Sequence, residues 1–149
     1  MKRIVLTTDF SASARVAYEK AIMLSEGFDM KIDLIHVLNP NIVPPVYYQQ
    51  LSLPNELERN RNELSDKLEL EVLEYLSNCV AEYHLLEGIP FKEIINYSRE
   101  NQAEMIVMSS HGHSAMNQLL FGSTVDKVVR KSPIPVLSVR DKSISFELP

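Results

Sequence analysis

Cysteine is almost missing from this chain. Cys79 is the single one in 149 residues, which excludes an internal disulfide and a cysteine-based metal cluster and points to a reducing compartment. Long apolar runs are missing too: after MKR, only Ile4, Val5 and Leu6 precede the return of polar residues, far short of the roughly 20 that a membrane span needs. These absences predict a soluble, cytoplasmic protein with no membrane partner. Charge of one sign is gathered nowhere. The net charge is −5, with acidic and basic residues mixed along the chain, so there is no basic face for phosphate backbones and nucleic acid is not an expected partner. No internal repeat, Ser–His–Asp or Cys–His arrangement or carboxylate pair stands out, and nothing here calls for catalytic turnover.

What is present is an alternation. With 45% hydrophobic composition the chain fits one domain of ordinary size, and apolar runs of strand length alternate with helical patterns from end to end. That order predicts an α/β fold with parallel strands joined by helical crossovers. Strands are expected at Arg3–Thr7, Ile32–Val37, Glu82–Leu86, Met105–Ser109 and Val136–Val139. Pro133 and Pro135, just ahead of the last, suit an edge strand.

Four helices are expected between them. The first runs from Ser13 to Glu26, capped by Ser11 or Ser13 and ended by Gly27, with Ala14, Ala17, Ala21 and Leu24 inward. The second, from Asn55 to Val80, carries Leu57, Leu64, Leu68, Val72, Tyr75, Leu76 and Cys79 at helical spacing. Pro90 opens the third, where its missing N–H costs nothing, and Ile94, Ile95 and Tyr97 bury it. The fourth begins near Ser123 and stops before Pro133. Two pieces break the alternation. Residues 38–54, with Pro40, Pro44, Pro45 and Pro54, read as a lid, a partner contact or a surface loop. The tail 141–149, with Ile144, Phe146 and Leu148 alternating, reads as an edge strand, a dimer contact or a frayed end.

The segment SSHGHSAMNQLLFGST, from Ser109 to Thr124, is the most informative. A buried strand emptying into a loop with Gly112 and Gly122, then a Gly-Ser-Thr helix start, is a geometry that receives phosphate. Glycine lets the backbone approach an anion, and the first N–H groups of the helix point at it. A structural turn would use the same residues. His111 and His113 lack the supporting carboxylate or cysteine of a metal site, and His36 and His84 read as structural.

The blocks VLTTDFS, IDLIHVL, SSHG…FGST and KSPIPVLSVR, in this order and nearly spanning the chain, resemble the universal stress protein family. The resemblance implies a flavodoxin-like three-layer sandwich over residues 1–140, with five parallel strands in the order 3-2-1-4-5 and helices on both faces. It implies homodimers paired through the last strand, Val136–Val139. Members that bind ATP carry Gly, two residues, Gly, nine residues, then Gly and Ser or Thr. Here Gly112, Gly122 and Ser123 keep that frame and Ser109 stands at the first glycine.

Carried over by position, Thr7, Thr8 and Asp9 would line the adenosine end, and Val37 would meet adenine. Met108, Ser109, Gly112, Gly122, Ser123 and Thr124 would hold ribose and phosphates, with His113 where many ATP-binding relatives have Arg or Lys. The implied function is a cytoplasmic, homodimeric regulatory module of the stress response that binds ATP or AMP, with Mg²⁺ accompanying ATP. A dimeric interaction protein with a degenerate site and an unidentified protein partner is the rival reading, and a slow ATPase is a third.

Overall fold

Ile4, Val5 and Leu6 are all completely buried, so the first strand has no solvent face and must lie inside a layered structure. The computed structural model describes residues 1–40, 53–111 and 122–141, with the backbone alone for 53–56. Its elements are β1 (Lys2–Thr7), α1 (Ala12–Phe28), β2 (Met30–Leu38), α2 (Leu53–Tyr75), β3 (Ala81–Glu87), α3 (Pro90–Glu100), β4 (Met105–Ser109), α4 (Ser123–Lys131) and β5 (Val136–Val139). The strands form one sheet in the order β3-β2-β1-β4-β5, and every pair is parallel. This is the flavodoxin-like order that the resemblance implied, with β5 at an edge.

Strand alternation divides the core into two layers. Ile4, Leu6, Ile32 and Leu34 face one side, against Ala17, Tyr18 and Ala21 of α1 and Leu68 of α2. Val5, Ile35, Ile106 and Met108 face the other, against Ile94 and Ile95 of α3 and Val125 and Val128 of α4. Each fully buried Leu or Ile contributes about 1.5–3 kcal/mol. Between β1 and β4 the strand order reverses, which opens a crevice at the carboxyl ends of the strands.

Three helix ends differ from expectation. Gly27 lies inside α1; the chain leaves the helix at Asp29, left-handed at φ 51°, whose N–H donates to the Ser25 carbonyl. Helix α2 stops at Tyr75 rather than near Val80. Leu76 and Cys79 keep helical spacing because they pack into the core from the following turn. At the N-terminal end of α2, Leu53 and Pro54 belong to the helix and not to the preceding connection. Residues 41–52 and the tail beyond Asp141 lie outside the described residues, and so do the readings made of them.

The amino ends of the strands hold a different kind of centre. Asp33, wholly buried, accepts from Arg3 at 2.8 Å and from the Tyr97 hydroxyl at 3.1 Å. Burial, and then the charge of Asp33, push the Tyr97 phenol above its usual range. Asp33, Glu82 and His84 bring three potential metal ligands within 4.8 Å of one another. The Lys31 ammonium, 2.9 Å from Glu82 and 3.4 Å from Asp33, already supplies the positive charge there.

Candidate functional site

After β1, the main chain must turn sharply to enter α1. Thr8 N–H donates to the Ile35 carbonyl at 3.0 Å, Phe10 N–H donates to Thr8 Oγ1 at 3.0 Å, and Phe10 takes the left-handed conformation at φ 65°. A bulky side chain rarely adopts that conformation. It is held here by the Phe10 ring, 4.6 Å from the imidazole of His36. His36 Nδ1–H in turn donates to the Thr8 carbonyl at 2.8 Å. Burial lowers the pKa of His36, against the opposing pull of that carbonyl and of Asp9, so the ring is held towards its neutral form.

Ser11 is the cap of α1. Its hydroxyl accepts from Ala14 N–H at 3.1 Å, and its own N–H donates to Asp9 Oδ1 at 3.0 Å. Asp9 therefore buttresses the cap rather than providing it. The Ser11 hydroxyl also donates to Asp9 Oδ1.

On the other side of the crevice, Ser109 ends β4 in register with Val139 of β5 and is absent from the positive-φ residues. A serine is therefore tolerated at this place without backbone strain. Its hydroxyl donates to the His111 carbonyl at 2.9 Å. Two main-chain bonds follow in series: Gly122 N–H donates to Ser110 O at 3.0 Å, and Ser110 N–H donates to Val139 O at 2.8 Å. Gly122 then starts α4 with no side-chain cap, with Asp126 in the first turn. The leading N–H groups of α4 thus have no side-chain acceptor among the described residues.

Thr7, Thr8, Asp9, Val37, Met108, Ser109, Gly122, Ser123 and Thr124 all line one cavity of about 340 Å³ in this crevice. They come from the ends of three strands and the start of one helix. Gly112 and His113 fall outside the described residues. The cavity also takes in Ile35, Pro90 and Ile94, none of them expected there. Ile35 and Ile94 are core positions by pattern, and only the neighbouring of β2 with α3 brings their ends to the cavity wall. His36, read as structural, does hold the turn and also lines the cavity. His111 lines it too; it is buried, shares a 2.8 Å hydrogen bond with the Ser110 hydroxyl through Nδ1, and leaves Nε2 without a partner among the described residues. Its place in SSHG, beside the frame glycine, was the signal available in the sequence.

This arrangement has an apolar wall for a flat ring, a carboxylate for hydroxyl groups, and an uncapped helix start for an anion. The universal stress protein family model matches residues 1–140, and the chain belongs to that family. Universal stress protein MJ0577 of Methanocaldococcus jannaschii is 28% identical over 156 residues, which cover 95% of this chain and 96% of the relative. A solved structure of MJ0577 superposes with a TM-score of 0.76 at 26% identity, covering 96% of this chain and 98% of that one. The same fold recurs in a universal stress protein from Archaeoglobus fulgidus in complex with dAMP, at TM-score 0.64 and 19% identity, and in a universal stress protein in complex with cAMP, at 0.61 and 21%. Each of these two alignments covers 93% of this chain and 96% of the other.

Proposed function

We propose that this chain is a cytoplasmic regulatory module of the stress response that binds an adenine nucleotide in the β1–β4 crevice and pairs with a second copy through β5. The observation that carries the reading is the convergence of nine residues, from four separate stretches of the chain, on one cavity beside the uncapped start of α4. In this reading Ile35, Val37 and Met108 pack against adenine, and Asp9 accepts from the ribose hydroxyls. The main chain from Gly122 to Thr124 donates to phosphate. Ser109, at the first glycine of the ATP-binding frame, keeps its extended strand conformation and leaves the crevice open. The dAMP and cAMP complexes of the two structural neighbours support the same ligand class. Mg²⁺ would come with a triphosphate and lean on its oxygens, because Asp9 is the one carboxylate among the described lining residues and Mg²⁺ is usually held by one or two carboxylates together with phosphate.

Mass spectrometry of denatured, freshly purified protein should show a co-purified adenine nucleotide, and millimolar AMP or ATP should raise the melting temperature. No nucleotide and no thermal shift would overturn the reading in favour of a dimeric interaction protein with a vacant crevice.

A further inference from the structure

The adenine-nucleotide reading leaves open how much negative charge the crevice accepts, and its own side chains bear on that. Among the described residues that line it there is no Lys and no Arg, and the one formally charged group is the Asp9 carboxylate. The sequence adds none nearby, since no Lys or Arg occurs from His111 to Asp126. Sites that grip polyphosphates normally use such side chains, because Arg and Lys make the strong charge-assisted bonds to phosphate.

What the crevice does offer is weak and of limited capacity. The start of α4 supplies the equivalent of about half a positive charge, and Asp126 in its first turn already answers part of it, while itself bonded to Arg130 at 2.8 Å. His36 is held towards neutrality by burial, and its Nδ1 is engaged by the Thr8 carbonyl. His111 adds one ring nitrogen without a partner among the described residues. Lys67 of α2, which bears on His36 electrostatically, is placed over the Phe10 ring, 5.8 Å from its centroid, and Phe10 packs with the α1–α2 layer rather than with α4. The cavity, at about 340 Å³, is at the small end of the usual range for ligand sites, roughly 300–1,000 Å³.

We propose that this crevice selects its ligand by low charge, taking an adenosine monophosphate, open or cyclic, in preference to ATP. The proposal rests on the adenine-nucleotide reading and narrows it. One phosphate matches one uncapped helix start. Each further phosphate brings negative charge that no Lys or Arg among the described lining residues meets and that Asp9 repels across a partly desolvated space.

Titration calorimetry on the full chain at fixed salt, with a chelator present, would compare adenosine, AMP, cyclic AMP, ADP and ATP. AMP or cyclic AMP is expected to bind at least about tenfold more tightly than ATP, with ADP between them. Adding Mg²⁺ should narrow the gap, because the cation neutralises part of the polyphosphate. ATP binding as tightly as both monophosphates in chelator would overturn the proposal and leave the adenine-nucleotide reading standing. Binding of none of the five would overturn both.

Asp9→Asn, which keeps an oxygen to accept from Ser11, should reduce the monophosphate preference several-fold; an unchanged ratio would count against the charge argument. If that variant fails to fold, Thr124→Lys supplies the missing cation at the start of α4. It should raise ATP affinity relative to AMP, and no relative gain would overturn the proposal.

Discussion

Gly122 and Gly88 show how differently two glycines can matter. Gly122 enters α4 at φ −57° and ψ 151°, angles open to any residue, so Gly122→Val adds bulk to the crevice without straining the chain. It is expected to abolish nucleotide-induced thermal shifts while circular dichroism and melting temperature stay unchanged. Gly88, just before α3, sits at φ 145°, and a Cβ there would lie 2.8 Å from Glu93 Oε1. Gly88→Ala should cost about 1–3 kcal/mol in denaturant unfolding. The side chain of His36 gives a pH signature. Its folded pKa is lowered, mainly by burial, so the unfolded chain takes up the proton more readily. Its contribution is complete above about pH 6.5 and declines as the pH falls through that value. Thermal melts between about pH 7.5 and 5.5 should show a falling melting temperature, and His36→Gln should flatten the slope. Glu82, whose pKa is lowered chiefly by its hydrogen bond to Lys31, loses its contribution only in the more acid carboxylate range, so the two effects separate.

The elements are tied to each other by a few charged contacts as well as by the core. Arg15 of α1 grips Glu71 of α2 through Nη2 at 2.7 Å and Nε at 3.2 Å, with the Glu71 side chain only 7% exposed. Arg15→Met would strand a buried carboxylate, at a cost of about 1–3 kcal/mol once the partial exposure of the arginine is allowed for. Chemical denaturation measures it, and a Glu71→Gln change in the same background should recover part of the loss. The sequence made the elements legible wherever periodicity and a breaker agreed: β4 and β5 have the expected bounds, and Pro90 does open α3. It misled where they diverged. Leu76 and Cys79 extended the helical pattern past Tyr75 because a turn can aim apolar side chains at the core as well as a helix can. Gly27 resembled a stop signal, yet the left-handed exit fell on Asp29, a residue type that also tolerates it.

At the scale of the whole molecule, strand order is what turns scattered residues into a site. Nothing local in Thr8, Val37 and Gly122 says that they meet; the resemblance supplied the order 3-2-1-4-5, and the reversal between β1 and β4 put their ends around one cavity. Ile35 and Ile94 escaped notice because a core residue that borders a cavity has the same apolar pattern as one packed on every side. The other boundary of the molecule is β5, which among the described residues pairs with β4 alone and leaves Leu137 39% exposed. If copies pair through it, Leu137→Lys should shift sedimentation from dimer to monomer without lowering the melting temperature of the dilute protein. The serial bonds from Gly122 to Ser110 and from Ser110 to Val139 give this border a further meaning. They make a short tether from the lip of the cleft to the outermost strand, so, if copies pair through β5, a displacement of that lip would bear on the face they share.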